Sequence, residues 1–185
     1  MDIVAHGLWA GLGLALARRR WPIPRRTAAA TVALAVAPDL AQLLPLIGHA
    51  LLTPGGFDVI RAYAMALPGL EPALSPAVAW WAHHLHCVLH SAVIAAAVSA
   101  LVWARGPAWR WPLLGWWSHI VIDVFTHSAA YYPVPVLYPF TQRGFDGLAW
   151  NTPWFLALNY AAIALALLLV SFGPRRRRDA PPGGP

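Results

Sequence analysis

The chain has 185 residues, 59% of them hydrophobic and only 11% charged, with a mean hydropathy of +0.55. A soluble domain carries roughly 25% charged residues, so this composition excludes an ordinary soluble fold and points to one membrane-embedded domain. The net charge of +6 comes from 13 Arg and no Lys against 7 acids. These Arg cluster beside apolar runs, which reads as a topology signal and not as a nucleic-acid surface, and the single Cys87 excludes an internal disulfide.

Five apolar segments follow in chain order: Ile3–Ala17, 27–47, 77–104, 111–131 and Pro153–Phe172. A spanning helix needs roughly 17–25 residues. The first segment is short of that, and its start, MDIVAH, lacks the basic n-region of a signal peptide. Its Gly7 and Gly11 form a GxxxG pair suited to close helix packing. The expected fold is all-α, a polytopic bundle of about five transmembrane helices over residues 1–173. Between the second and third segments, 57–67 is expected to form a short surface helix bounded by Pro and Gly. The loop 132–152 is rich in Pro and aromatics and is expected to pack over the helices. Residues 174–185, with the run RRRRDAPPGGP, are expected to be a disordered basic tail.

If all five segments cross, Arg18, Arg19, Arg20, Arg25, Arg26, Arg105, Arg110 and the four tail Arg share one side. Only Arg61 and Arg143 fall opposite. The positive-inside rule then puts the N-terminus outside and the C-terminus in the cytoplasm. Trp21, Trp103, Trp109 and Trp111 lie near the inner boundary, and Trp80, Trp81, Trp150 and Trp154 near the outer one, as aromatic belts do.

Against this apolar background the ionisable residues stand out. The fourth segment reads WSHIVIDVFTH, with His119, Asp123 and His127 at every fourth position, hence on one helical face. The third carries His83, His86 and His90 on one face, with His84 turned away. The second carries Pro38-Asp39, where Pro38 is expected to kink the helix, and the first carries His6. A charge at mid-membrane costs about 2.5–3.5 kcal/mol on insertion scales. Such groups persist where they meet one another, and a divalent metal satisfies carboxylate and imidazole together. Alternating helix direction places His6, Asp39, His86, His90, His119, Asp123 and His127 in the same, outer half of the bilayer. That implies one polar site opening outward. Simpler roles stand beside this reading: interfacial His6, His83 and His84, a capping Asp39, a His127 that supports a ligand from behind or donates a proton, a solvated His49 in the outer loop, and Cys87 as a small buried hydrophobe.

At Asp2, His6-Gly7, Pro38-Asp39, His90-Ser91, HIVIDVFTHSAAYYPVPVLYPF and the later FDGLAW, the sequence resembles the YdjM-like family of bacterial inner-membrane, metal-dependent hydrolases. The similarity covers roughly residues 2–160; Leu89 departs from it, since the family commonly has Thr there. The resemblance implies a metal site of His6, Asp39, His90, His119 and Asp123 holding one or two divalent ions, with zinc favoured. It also implies remote kinship to zinc-dependent phospholipase C and P1-type nucleases, and so phosphoester hydrolysis.

The expected function is therefore metal-assisted hydrolysis of a phosphoester or lipid-linked substrate at the outer face of the inner membrane. His127 or His86 would serve as acid or base. Tyr138 and Arg143 could meet an anionic substrate, or simply pack and anchor the interface. The lipid bilayer is the expected partner, and nucleic acid is not. Three other readings use the same residues: a metal- or proton-handling transporter, a haem protein using His pairs, and a non-catalytic membrane protein with a structural metal site.

Overall fold

A computed structural model describes residues 1–66, 70, 72–130 and 132–172. Among these there are seven α-helices and no β-strand. They are α1 (Ile3–Ala17), α2 (Arg25–Leu52), α3 (Gly56–Met65), α4 (Pro76–Leu89), α5 (Ala92–Trp103), α6 (Arg110–Thr126) and α7 (Pro153–Phe172), with a 3₁₀ turn at Pro107–Trp109 before α6. The tail expected to be disordered, 174–185, lies outside the described residues.

Helix α2 is the hub, and α1, α3, α4 and α6 all pack on it. Its contact with α6 is close because Gly115 lacks a side chain: a Cβ there would sit 2.0 Å from the Thr31 carbonyl oxygen. Helix α1 starts at Asp2, whose Oδ1 accepts the Ala5 N–H at 2.9 Å. The same oxygen accepts the Tyr160 hydroxyl at 2.9 Å, and Trp9 Nε1 donates to Asn159 Oδ1 at 3.0 Å. These bonds hold α7 against α1. Two apolar clusters flank the polar centre. Met1, Ala5, Leu12 and Ile163 form one, and Ala95, Leu113, Trp116 and Ile120 form the other.

Helices α2 and α7 are long and apolar enough to cross a membrane, and α4 with α5 passes the same test as one bent pair. Ile163 is the buried residue of α7. Leu158, Leu165, Leu168 and Leu169 are exposed, as they would be against lipid, where every backbone group is satisfied within the helix. Of the five expected spans, α1 with 15 residues and α6 with 17 residues fall short of that test.

The structure also changes several local expectations. Segment 77–104 is not one helix: it bends by 59° between α4 and α5. His90 caps the end of α4. Ser91 starts α5, its Oγ accepting the Ile94 N–H at 3.2 Å. That local bond competes with helix continuation, and loop 132–152 completes the corner. Ser91 Oγ donates to the Tyr138 carbonyl at 2.6 Å, and the Ala92 N–H donates to Val136 at 2.9 Å.

Helix α2 runs as one element with both Pro38 and Pro45 inside it. The helix also extends to Leu52, which puts His49 in its last turn and not in a loop. The surface helix expected at 57–67 is α3; Leu67 lies outside the described residues. Gly7 faces Val36 and Val32 of α2, whereas Gly11 has open space where a Cβ would be, so the pair does not act as one packing notch. Helix α6 stops at Thr126, and His127 caps it with extended backbone (φ −118°, ψ 143°).

Candidate metal centre

His6 on α1, Asp39 on α2, His90 at the α4–α5 corner, and His119 and Asp123 on α6 come together where these helices pack. His90, His119 and Asp123 are fully buried (0% exposed), and Asp39 is 5% exposed. One ligand atom from each of Asp39, His90, His119 and Asp123 lies within 4.8 Å of the other three. His119 Nε2 is 3.0 Å from Asp123 Oδ2 and 3.7 Å from Asp39 Oδ1. His90 Nε2 is 3.3 Å from Asp123 Oδ2 and 3.6 Å from Asp39 Oδ1.

The tautomers decide what this cluster can bind. His119 Nδ1 lies 2.8 Å from the Ala35 carbonyl oxygen, and His90 Nδ1 lies 2.9 Å from the His86 carbonyl oxygen. A carbonyl only accepts, so each Nδ1 carries the proton, and in the neutral ring each Nε2 is a bare lone pair. Those two Nε2 atoms face each other at 2.9 Å, beside two carboxylates. Lone pairs at that distance repel unless a metal ion or a proton lies between them. Asp39 Oδ2 and Asp123 Oδ2 are moreover buried with no hydrogen bond, a costly state for an acceptor. Two imidazole nitrogens and two carboxylates with unsatisfied lone pairs form a donor set that fits a divalent metal. The backbone carbonyls behind both rings are the outer-shell bonds that orient metal-ligating His. This buried Asp/His cluster can hold a metal ion.

His6 lies at its edge. Its Nε2 is 2.9 Å from Asp123 Oδ1 and 3.9 Å from Asp39 Oδ2, and its ring stacks on His119 at 3.9 Å. The Met1 amine also bonds Asp123 Oδ1 and lies 3.0 Å from His127 Nε2, so this edge of the cluster attracts positive charge. His127 Nδ1 meets the Tyr132 carbonyl at 2.8 Å. The same tautomer rule leaves the His127 lone pair on Nε2, which lies 3.4 Å from Asp123 Oδ1.

His86 is placed differently. Its Nε2 is 3.3 Å from the Pro133 carbonyl, and its Nδ1 is 2.8 Å from the Gln42 amide. With both nitrogens engaged, it presents no lone pair to the cluster. Its ring instead packs against His90, with centroids 4.2 Å apart. His83 is exposed and meets Gln142 at 3.4 Å. His84 stacks on Trp80 at 5.1 Å and meets the Tyr138 hydroxyl at 3.4 Å, so Tyr138 lies on the flank of α4. Arg143 is exposed. Buried Cys87 sits 3.5 Å from His83 Nε2, outside the cluster.

Two groups of partners escape a reading from sequence. Gln42 lies three residues after Asp39, a polar pair on one helix face that spacing alone could have flagged. The carbonyls of Ala35, His86 and Tyr132 fix three imidazoles and have no sequence signature. No protein-family model, curated protein or solved structure matches the chain, so the assignment of this centre rests on its own geometry.

Proposed function

We propose that this chain is an integral-membrane, metal-dependent hydrolase that acts on a phosphoester or lipid-linked substrate at the outer face of the bacterial inner membrane. The observation that carries the proposal is the meeting of two imidazole lone pairs with two carboxylates in a buried cluster flanked by a further histidine. His90, His119, Asp39 and Asp123 would hold the metal, with His6 as an additional ligand at its edge. Zinc suits this nitrogen and oxygen set, as one or two ions. When bound, such an ion supplies a water of lowered pKa and polarises the ester. The YdjM-like resemblance adds hydrolysis as the reaction class.

The chain's own residues would do the rest. Loop 132–152 holds His127 through the Tyr132 carbonyl. It is tied down where Gly147 N–H donates to His127 O at 2.9 Å and Trp150 N–H to Thr126 O at 2.9 Å. His127 Nε2, which lies 3.0 Å from the Met1 amine and beside Asp123, would exchange that partner for the attacking water, take a proton from it and return it to the leaving group. His86 would support the His90 ring and leave the proton transfer to His127. Five crossings with the N-terminus outside would put this end of the bundle at the outer boundary. At 1.5 Å per residue, α1 and α6 span about 22 and 25 Å, and local thinning of the bilayer accommodates such short spans.

His127→Ala tests the chemistry. Turnover of a phosphodiester should fall by about 10²–10⁴-fold while metal content stays at the wild-type level. Unchanged turnover would remove His127 from the reaction. A metal-loaded wild type that cleaves no ester would leave a structural metal site or a transporter in its place.

A further inference from the structure

Helices α1 and α6 both pack on α2 and barely touch each other, which leaves a groove of about 340 Å³ between them. Ala10, Gly13 and Leu14 of α1 and Leu114, Gly115 and Ile122 of α6 give it apolar walls. Gly13 helps to keep it open, since a Cβ there would meet nothing within 4 Å. None of the described residues that line it is titratable. Its hydroxyls are bonded within the chain: Thr31 donates to the Thr27 carbonyl at 2.9 Å, and Ser118 to the Gly115 carbonyl at 2.7 Å. Trp9 Nε1 is likewise spent on Asn159. Walls of this kind favour hydrocarbon and disfavour a polar group, which would lose water without gaining a partner.

The groove follows α6 from Trp111 to Ile122, a length of about 16 Å at the rise of an α-helix. That is about half of a hydrocarbon core roughly 30 Å thick, the depth of one leaflet. A helix of that length, about 10–12 Å across with its side chains, would need several times the volume. One acyl chain fits the groove, and a helix from a second copy does not.

One end of the groove is positively charged. Trp111 lines it there, and its ring lies 5.6 Å from that of Trp21, which brings the connection between α1 and α2 to that end. This stretch reads RRRWPIPRR, and Arg18, Arg19, Arg20, Arg25 and Arg26 are all exposed. Among the described residues none of the five is paired with an acid. Arg18 and Arg19 bond the Ile23 and Val170 carbonyls, which leaves their charge uncompensated. We propose that the α1–α6 groove seats one acyl chain of an anionic phospholipid, whose headgroup phosphate meets Arg20, Arg25 and Arg26. The proposal rests on the bundle lying in a membrane and is independent of the hydrolase reading.

Native mass spectrometry of the full chain in detergent tests it, with phosphatidylglycerol and phosphatidylcholine of identical acyl chains as probes. An arginine near an anionic headgroup is worth about fivefold in affinity, so wild type should bind one phosphatidylglycerol at least about tenfold more tightly than phosphatidylcholine. Gly13→Phe should fill the groove and abolish that binding while circular dichroism shows the wild-type helix content. Arg20→Gln, Arg25→Gln and Arg26→Gln together, all on the surface, should make the two lipids equal. Equal affinities in wild type would overturn the proposal. So would a preference that survives in the arginine variant, or in a folded Gly13→Phe, where the arginines would be attracting headgroups with no chain seated. A wild-type dimer that is lost in Gly13→Phe would assign the groove to a second copy instead. Carbonate extraction of the membranes separates the site from the reading beneath it. A chain that washes off sinks both, and a retained chain without lipid preference sinks the site alone.

Discussion

Asp123→Asn should lower the affinity for a divalent metal by more than about 100-fold, because even outer-shell partners of metal ligands are worth about 10–100-fold. Asp123 is the residue on which the centre converges. Its Oδ2 is within 3.3 Å of both His90 Nε2 and His119 Nε2, and its Oδ1 meets His6 at 2.9 Å. The amide keeps the volume and shape of the side chain, so far-UV circular dichroism should show the wild-type helix content. It removes the negative charge, however, and turns one half of the group into a donor aimed at nitrogens whose protons are already on the other side of their rings. Competition with a chelating dye would measure the change. An affinity equal to that of the wild type would remove Asp123 from the ligand set.

The second large effect is structural. Gly115→Val should destabilise the bundle by about 3 kcal/mol or more, the upper end of the range for overpacked sites. The new Cβ would lie 2.0 Å from the Thr31 carbonyl oxygen and 2.9 Å from its carbon. Backbone on a neighbouring helix cannot swing aside as a flexible side chain can, so α6 would have to move away from α2. His119 and Asp123 lie one and two turns further along α6, and Asp39 lies on α2, so the same displacement pulls the metal ligands apart. The variant should melt at lower temperature in detergent and bind metal more weakly. Gly11→Ala is the control, since its Cβ would meet nothing within 4 Å. An unshifted melting temperature for Gly115→Val would show that α2 and α6 are not in the contact described.

Which parts of this architecture a sequence reveals follows from what leaves a side-chain signature. An ionisable residue in an apolar run is conspicuous because it is costly there. His6, Asp39, His83, His86, His90, His119, Asp123 and His127 stood out for that reason; the resemblance narrowed them to His6, Asp39, His90, His119 and Asp123, which the structure brings together, while exposed His83 stays outside. Spacing of four residues put His119 and Asp123 on one face, and α6 keeps that register. Long apolar runs located α2 and α7 for the same kind of reason.

What hydropathy could not show is where backbone hydrogen bonds are diverted. The corner at His90-Ser91 depends on a serine side chain and on carbonyls from loop 132–152, more than 40 residues away, so the run 77–104 looked continuous. His127 continued the i, i+4 pattern of His119 and Asp123. Yet α6 ends one residue earlier, because the Phe125, Thr126 and His127 carbonyls bond the N–H groups of Leu148, Trp150 and Gly147 and the chain turns away. The tautomers that expose two Nε2 lone pairs are likewise set by carbonyls, and every residue has one.

The central claim is that the buried Asp/His cluster holds a metal, and elemental analysis of the purified wild-type protein beside His119→Ala tests it most directly. The protein should carry at least one divalent transition-metal ion per chain, zinc foremost, and His119→Ala of wild-type helix content should carry little or none. A well-folded wild type that purifies without such a metal, and takes none up on titration, would contradict the account.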